Sequence, residues 1–280
     1  MDQNLLRESI RIMTQEIQTA PGCSLHSFWL YGSVVLNDFR PGWSDIDFIA
    51  FTNDPIGPEQ ANQLLLLRQT LSERYTDNPY FRCFEGVIVN RKEYQSGQYD
   101  RLVYWGTSGQ RITNRCCIDP FSMLELSKYS VLICGEEDRD LFKMPKKEEL
   151  VAAVRRHYEG IRRCAVRTDD SLYSCGWLLD IARCIYTLRT GDVIGKTQAG
   201  EWALSEHLFF NEEPLKRTLA IRRDPLLFRD DPETKVWLKT LGPTVQQYAD
   251  VLERELSHYI IYHNIFEFRE PFGFSLRLYR

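Results

Sequence analysis

Two aspartates, Asp45 and Asp47, stand one residue apart in the segment DIDFIAF at residues 45–51. The other side chains of this segment are apolar, and the pattern predicts a β-strand. Because side chains alternate across a strand, both aspartates are expected on one face. A carboxylate on a buried strand costs free energy unless something compensates it. Either one aspartate points into a loop, or a cation lies between the two.

A Gly32-Ser33 turn follows a strand predicted at residues 25–33, and 11 residues separate Ser33 from Asp45. Glycine lets a phosphate approach the backbone, and the serine hydroxyl and nearby N–H groups can donate to it. Two carboxylates on one strand face suit a hard cation such as Mg²⁺. A phosphate-binding turn beside such a strand indicates phosphoryl or nucleotidyl transfer, where positioning and charge neutralisation supply most of the catalysis.

The pattern G-S-x11-D-I-D resembles the signature of the polymerase-β-like nucleotidyltransferases, and YGSVVLNDFRPGWSDIDFIAF resembles the adenylyltransferases that inactivate streptomycin and spectinomycin. The resemblance implies ATP as co-substrate and two Mg²⁺ ions, bound by Asp45 and Asp47. It implies that Glu85, in FRCFEGVIVN, completes the second metal site or acts as general base toward the drug hydroxyl. A lone Asp-x-Asp pair would more commonly be a solvated strand end. The other nucleotide-binding residues implied in this half are Gly32, Ser33 and Ser44.

A second match to the same family lies in IARCIYTLRTGDVIGKTQAGEWAL, residues 181–204. The resemblance implies that Arg183, from one helix, and Lys196, from the next turn, bind the triphosphate of ATP. A cationic pair from a separate domain would neutralise phosphate charge and couple nucleotide binding to closure. The alternative is that both are solvated side chains on surface helices.

The residues that bind the acceptor are implied by weaker matches. A cationic drug calls for acidic residues and an aromatic ring in its pocket. Asp169 and Asp170 stand where the family places acceptor-binding carboxylates, and Trp105 could match a tryptophan that contacts the drug. The aspartates could equally cap a helix, and Trp105 could be a core residue. Cys164 stands where streptomycin-modifying members carry a tryptophan, which makes streptomycin a doubtful substrate.

The elements that must position these residues follow from the hydrophobic periodicity. The N-terminal part reads as strands and helices in alternation, while the stretch at 93–120 reads as loops. From residue 148 onward the patterns are helical almost throughout. The predicted helices are 3–19, 58–76, 121–134 with a strand-like end at 129–135, 148–166, 172–190, 197–208, 213–222 and 243–263; the other predicted strands are 25–33, 45–51 and 80–90.

We therefore predict an α+β fold in two domains. A nucleotidyltransferase domain with a mixed β-sheet flanked by helices would span residues 1–147, and an all-α helical bundle domain would span 148–280. The charged, proline-bearing segment at 135–149 reads as the connector between them.

Composition narrows the class of protein. Lysine and arginine number 35 against 39 aspartates and glutamates, a net charge of −4, which disfavours nucleic acid as a partner. The eight cysteines are scattered without a C-x-x-C pair, as in a reduced, cytoplasmic protein. No segment has the roughly 18 apolar residues of a membrane span. We expect a cytoplasmic monomer that does not bind membranes and that acts on a small cationic acceptor.

The leading hypothesis is an Mg²⁺-ATP-dependent adenylyltransferase that transfers AMP to a hydroxyl of an aminoglycoside or aminocyclitol antibiotic and confers resistance. One alternative keeps the chemistry and changes the acceptor to a protein or another small molecule. Another is a non-catalytic, nucleotide-binding regulator. The presence of Asp45, Asp47 and Glu85 together argues against the latter, since three mutually repelling acids need a purpose.

Overall fold

The chain is described by a computed structural model over residues 3–107 and 109–267. Residues 268–280, which the predicted helical domain includes, lie outside the described residues. The strands are β1 (Leu25–Tyr31), β2 (Ile46–Thr52), β3 (Phe84–Asn90), β4 (Leu102–Gly106), β5 (Gly109–Thr113) and β6 (Val131–Gly135). The α-helices are α1 (Gln3–Thr19), α2 (Pro58–Arg74), α3 (Arg91–Ser96), α4 (Pro120–Tyr129), α5 (Lys147–Cys164), α6 (Tyr173–Thr190), α7 (Lys196–Ser205), α8 (Glu213–Arg223), α9 (Pro225–Phe228), α10 (Pro232–Leu238) and α11 (Gly242–Glu267).

The strands form one mixed sheet in the order β5-β4-β3-β2-β1-β6. β2 and β3 run parallel, connected through α2, and the other neighbouring pairs are antiparallel. In this register Asp47 of β2 lies between Tyr31 of β1 and Glu85 of β3. The sheet therefore brings side chains from two separate stretches of sequence onto adjacent positions.

Each face of the sheet is covered by its own apolar cluster. On one face, Phe28 and Phe48 pack with α1 and α2 through residues such as Met13 and Leu64. On the other face, Trp29, Ile49 and Phe51 pack with Leu126 of α4. Asp47 alternates with Phe48 along β2, so its side chain lies on the face covered by α4. The site is thus built on the second face, at the end where β2 begins.

A third apolar cluster joins the helices that follow residue 147, including Leu178 and Ile185 of α6 and Leu252 of α11. Phe121 and Leu124 of α4 belong to this helical cluster as well. α4 therefore packs on the sheet through one side and on the helical half through another. The division of the chain at 147/148 remains a prediction, and α4 is the element that links the two halves across it.

The α+β class is confirmed, and one stretch of the element prediction is wrong. Residues 93–120 were expected to be loops, but they contain the hairpin of β4 and β5 and the first residue of α4. β5 is an edge strand with the sequence GQRIT, which carries few of the β-branched and aromatic residues that mark a strand. β5 is a strand because it pairs with β4, although its own sequence does not indicate a strand. None of the described helices is long and apolar enough to cross a membrane.

Candidate active site

The turn at Gly32 brings the chain against Asp47. Gly32 has a φ of +68°, in the region that glycine tolerates best. A Cβ atom added there would lie 2.1 Å from Asp47 Oδ2, so only glycine fits. The next residue, Ser33, donates from Oγ to the backbone carbonyl of Asp45 at 3.2 Å. The predicted phosphate-binding turn is therefore placed directly beside both aspartates.

The carboxylates at this site repel one another. Burial, and then the charge of Glu85, raises the pKa of Asp45 to about 6, although Lys196 and Arg68 oppose the shift. Burial also raises the pKa of Asp47 well above its ordinary value, and Glu125, Asp45 and Glu85 raise it further. A positive charge nearby would favour the ionised form of these carboxylates, so the cluster is suited to a cation.

Three carboxylates offer the hard oxygen donors that Mg²⁺ prefers. Within residues 3–107 and 109–267, however, the side chains of His, Cys, Asp and Glu form no group of three positioned to hold a metal ion. Asp47 and Glu85 are neighbours in register, and Asp45 lies just before the strand. The donor chemistry suits the cation, while the assignment of all three as ligands stays a prediction.

Arg183 of α6 and Lys196, the first residue of α7, lie opposite this cluster. Lys196 Nζ lies 3.0 Å from Asp180 Oδ1, and Arg183 lies at ion-pair distance from Asp180 and Glu125, at 3.8 and 3.7 Å. Their side chains are 27% and 20% exposed, so neither is a freely solvated surface cation. The pair is brought together as the sequence predicted; its role toward ATP remains a prediction.

Two acids at this site were missed from the sequence. Burial raises the pKa of Glu125 in α4 to about 7, and Arg183 acts against that shift. Burial would also raise the pKa of Asp180, but Lys196 and Arg183 hold it below its ordinary value. Asp180 precedes Arg183 by one helical turn, and that i, i+3 spacing was a usable signal. Glu125 carried no such signal, because its proximity to Arg183 is a tertiary contact.

Ser44 is buried behind the cluster and belongs to a contact between the two halves. Its Oγ accepts a hydrogen bond from the backbone N–H of Arg40 at 3.0 Å. Arg222 of α8 donates to Ser44 Oγ at 3.4 Å and to Asp38 Oδ2 at 2.9 Å. The Asp38 carboxylate also accepts from the backbone N–H of Thr197 at 3.1 Å, in the first turn of α7. Neither Asp38 nor Arg222 was found from the sequence.

Asp38 supplies a cap that α7 cannot provide for itself. The N-cap residue of α7 is Gly195, which has no side chain to accept from the first-turn N–H groups. Asp38 fills this role from 159 positions earlier in the sequence. A Cβ added at Gly195 would lie 2.7 Å from Asp38 Cβ, so glycine is also what admits the carboxylate. The start of α7, and Lys196 with it, is thereby tied to the segment that leads into Asp45.

Two cavities meet at Asp47. The first cavity, of about 240 Å³, is lined by Ser33, Asp45, Asp47, Arg183 and Lys196, with Ser44, Asp38 and Arg222 farther in. The second cavity, of about 450 Å³, is lined by Asp47, Glu85, Tyr104, Arg111, Arg115 and Asp119 together with neighbouring apolar residues. Glu85 lines the second cavity and Asp45 lines the first, so the carboxylate cluster stands between two spaces that could hold different molecules.

The acceptor-binding residues expected from the sequence are not at this site. Trp105 is fully buried, packs on Phe48 and donates its indole N–H to the carbonyl of Leu64 at 3.1 Å. That places it in the core, on the face of the sheet opposite Asp47, and corrects the expectation that it contacts a drug. The tertiary fold settles the alternative in favour of burial.

Asp169 and Asp170 also make local contacts instead of lining the site. Asp169 Oδ1 accepts hydrogen bonds from the backbone N–H of Ser171 at 2.9 Å and from Ser174 Oγ at 2.8 Å, a local turn before α6. Asp170 forms an exposed ion pair with Lys239 at 3.0 Å. Neither residue lines the two cavities. Their expected role in substrate binding is therefore corrected as well.

Glu85 is held from two sides by residues that the sequence did not single out. Tyr104 of β4 donates its hydroxyl to Glu85 Oε1 at 3.1 Å. Arg68 of α2 donates to the carbonyl of Phe84 at 2.8 Å and to that of Gly106 at 3.3 Å, which fixes the start of β3. The hairpin missed from the sequence is thus what supports the third carboxylate.

Comparison with known proteins shows what the chain is similar to. Residues 140–223 match the family model for the C-terminal domain of aminoglycoside adenylyltransferases. Among solved structures, the chain is similar to spectinomycin adenyltransferase AAD(9) from Enterococcus faecialis, solved with ATP and spectinomycin. The TM-score is 0.57 at 18% identity, over 88% of this chain and 99% of that one. No curated protein matches the sequence. The likeness to AAD(9) establishes the fold, and residues 140–223 are similar to the C-terminal domain of aminoglycoside adenylyltransferases.

Proposed function

We propose that the protein is an Mg²⁺-ATP-dependent adenylyltransferase that transfers AMP to a hydroxyl of an aminoglycoside or aminocyclitol antibiotic. The observation that carries this proposal is the position of Asp47, in register beside Glu85 on one side and against the Gly32 turn on the other. Lys196 and Arg183 face the same space from the helical half. The AAD(9) structure, which holds ATP and spectinomycin, supports the same pair of substrates.

Each residue has a defined task in the proposed reaction. Ser33, Lys196 and Arg183 bind the triphosphate in the first cavity, where cationic donors form short, charge-assisted hydrogen bonds to phosphate oxygens. Asp45 and Asp47 would hold Mg²⁺, and Glu85, in register beside Asp47, would complete the set. When bound, the cation neutralises charge on the phosphates and on the carboxylates that repel one another.

Glu85 is the proposed general base. It accepts the proton of the acceptor hydroxyl as that oxygen attacks the α-phosphorus of ATP. A new bond forms between the acceptor oxygen and the α-phosphorus, the bond from that phosphorus to the bridging oxygen breaks, and pyrophosphate leaves with the electron pair. Tyr104 orients the carboxylate by its hydrogen bond to Oε1. The products are the AMP ester of the acceptor and pyrophosphate.

The test is turnover on a drug panel. The protein is incubated with ATP, Mg²⁺ and each hydroxylated drug, pyrophosphate is measured, and the drug is weighed by mass spectrometry for an added AMP group. In cells, raised minimum inhibitory concentrations that are lost with Asp47→Asn would link drug protection to this site. Tight ATP binding without turnover on any drug would sink the resistance function. AMP on a co-purifying protein would favour the protein acceptor, and metal-independent ATP binding without chemistry would favour the regulator.

The cytoplasmic location, the monomeric state and the boundary at 147/148 belong to the same proposal. A closed, monomeric enzyme is consistent with a site whose parts all come from one chain, since Asp47, Glu85 and Lys196 converge without a second copy. Size-exclusion chromatography with light scattering tests the monomer directly.

A further inference from the structure

The second cavity adjoins the space that faces the phosphate-binding residues, and the two share Tyr31, Asp47, Asp119 and Ser122 in their lining. Ser33, Arg183 and Lys196 line the first cavity, whereas Glu85 lines the second. Asp47 lines both. In a direct transfer, the attacking oxygen and the leaving oxygen lie on opposite sides of the phosphorus, roughly in line. A nucleotide held in the first cavity would therefore present its phosphorus to a hydroxyl that arrives from the second.

Two arginines, Arg111 and Arg115, line the second cavity. Arg111 of β5 lies over the ring of Tyr104, with its guanidinium carbon 4.1 Å from the ring centroid. The hydroxyl of the same Tyr104 donates to Glu85. Arg115 lines the same cavity. One aromatic side chain therefore connects the proposed base to an arginine, and any molecule that reaches Glu85 from this cavity passes close to that positive charge.

Three acidic side chains, Asp47, Glu85 and Asp119, also line the second cavity. Asp47 and Glu85 belong to the carboxylate cluster, and Asp119 caps α4 through the backbone N–H of Phe121 at 2.9 Å. Asp169 and Asp170, expected to attract a polycationic drug, lie elsewhere. The lining of the cavity thus carries charges of both signs, and the arginine that the β4–β5 hairpin contributes is Arg111.

We propose that the second cavity is the acceptor site and that Arg111 is a specificity-determining residue, which disfavours acceptors with positive charge at the end facing the hairpin. The site takes a compact hydroxylated ring compound whose few ammonium groups lie toward Asp119 and the cluster. This inference rests on the proposed adenylyl transfer and names its acceptor class. Like charges brought close together oppose binding, and a charged side chain beside a binding site disfavours partners of the same sign.

Binding measurements test the site without requiring turnover. The full chain, loaded with Mg²⁺ and the non-hydrolysable α,β-methylene-ATP, is titrated by calorimetry with spectinomycin, a compact aminocyclitol, and with the larger, more highly charged streptomycin. Arg111→Glu is expected to tighten streptomycin binding about tenfold and spectinomycin binding about threefold, because it replaces repulsion by attraction. Arg111→Gln is expected to fall between the wild type and Arg111→Glu. The gain should shrink at high salt.

The matched control is Arg155→Glu, which makes the same change of net charge on an exposed position of α5 that lines neither cavity. It should leave both affinities within about twofold, as an exposed charge far from the ligand does. Circular dichroism checks that each variant folds, and Arg111→Gln keeps the test open if Arg111→Glu does not. Affinity for the ATP analogue should be unchanged in all three variants.

Three results would overturn the inference. Arg111→Glu could behave like Arg155→Glu toward both drugs, it could change affinity for the ATP analogue instead, or neither drug could bind to wild type or variant. The proposed function fails differently. If both drugs bind as expected and no pyrophosphate forms with any acceptor, the cavity assignment stands and the transfer reaction does not.

Discussion

Asp47 and Asp38 are both carboxylates largely withdrawn from solvent, and their surroundings carry opposite charge. Asp47 lies among Glu125, Asp45 and Glu85, which raise its pKa on top of the effect of burial. Burial would raise the pKa of Asp38 too, but Arg222 and the hydrogen bonds from Thr197 lower it. The charge of Asp38 is therefore compensated by Arg222, whereas Asp47 lies among carboxylates of the same charge.

The difference separates structure from function in this molecule. A buried acid whose charge is matched, with side-chain exposures of 1% for Asp38 and 3% for Arg222, can hold two halves of a chain together. An acid left among like charges weakens the fold, and such perturbed groups concentrate at functional sites. The Asp47 cluster is where a cation and a triphosphate are expected, and the Asp38 contact is what keeps their binding residues in place.

The strongest test of the comparison removes one charge from the uncompensated cluster. Asp47→Asn keeps the size of the side chain and removes a proposed cation ligand. We expect kcat/KM for adenylyl transfer to fall by about 1,000-fold, equivalent to about 4 kcal/mol of transition-state stabilisation. Because a repelling charge is lost, the unfolding free energy in the absence of metal should rise. Urea denaturation and pyrophosphate release measure the two effects; a variant that loses stability along with activity would contradict this reading of the cluster.

The next test removes one charge from the compensated pair. Arg222→Ala leaves the buried Asp38 with Arg40 as its remaining ion-pair partner, at 3.5 Å, and we expect the unfolding free energy to fall by about 3 kcal/mol. Its neighbour Arg223 is the control, because it forms an exposed ion pair with Glu201 at 2.6 Å. Arg223→Ala should cost about 0.5 kcal/mol or less. Denaturant titrations of the two variants measure the difference.

A double substitution separates the loss of attraction from the cost of an orphaned charge. Asp38→Asn combined with Arg222→Met removes both charges and keeps the approximate volume, so much of the stability should return. Equal losses for Arg222→Ala and Arg223→Ala, or a double variant no better than the single one, would mean that the buried contact does not join the halves.

From the sequence, Asp45, Asp47 and Glu85 were expected to lie together, whereas Glu125 and the contact between Asp38 and Arg222 were missed. Asp45 and Asp47 lie in one strand, and Glu85 follows one helix later, so local periodicity and a family pattern suffice to bring them together. Asp38 and Arg222 are 184 positions apart, and their pairing depends on how α8 packs against the segment before β2. No local pattern carries that information.

The prediction of the acceptor-binding residues failed for a related reason. β5 has few strand-forming residues and is ordered by pairing with β4, so the hairpin that carries Tyr104 and Arg111 was predicted to be a loop. With the hairpin unseen, Trp105 looked available to a ligand. In the fold, the alternation of β4 turns Trp105 into the core and leaves Tyr104, its neighbour, facing Glu85. Of these two adjacent residues, Trp105 is therefore part of the core and Tyr104 is part of the site.

The pH dependence of stability offers a further way to sharpen the comparison. The pKa of Asp45 is raised from 3.8 to about 6 in the folded chain. A carboxyl group whose pKa is raised by folding stabilises the folded chain most when the pH is below its pKa in the unfolded chain. This stabilisation is lost as the pH rises through its pKa in the folded chain. Metal-free protein should therefore lose stability between about pH 4 and pH 7. Asp45→Asn should flatten this loss, as followed by thermal unfolding.

Mg²⁺ should oppose the same loss, because a ligand that binds the folded state alone stabilises it. The stabilisation should be larger at pH 8, where the carboxylates are ionised, than at pH 5. The pair of Asp38 and Arg222 predicts the opposite slope for its own contribution, since a lowered pKa supplies stability that is lost as pH falls. A stability profile that is unchanged by Asp45→Asn and by Mg²⁺ would remove the distinction between the two sites.

The smallest effect is expected at Tyr104, which touches the cluster from the acceptor side. Tyr104→Phe keeps the ring under Arg111 and removes the hydroxyl that donates to Glu85 Oε1. Loss of one such hydrogen bond is worth about 1 kcal/mol, so kcat should fall by about fivefold. KM for ATP should not change, because Tyr104 does not line the first cavity. Steady-state kinetics with each substrate varied in turn separates the two constants. A rise in KM for ATP with kcat intact would place Tyr104 on the nucleotide side, and the division of the site at Asp47 would then be wrong.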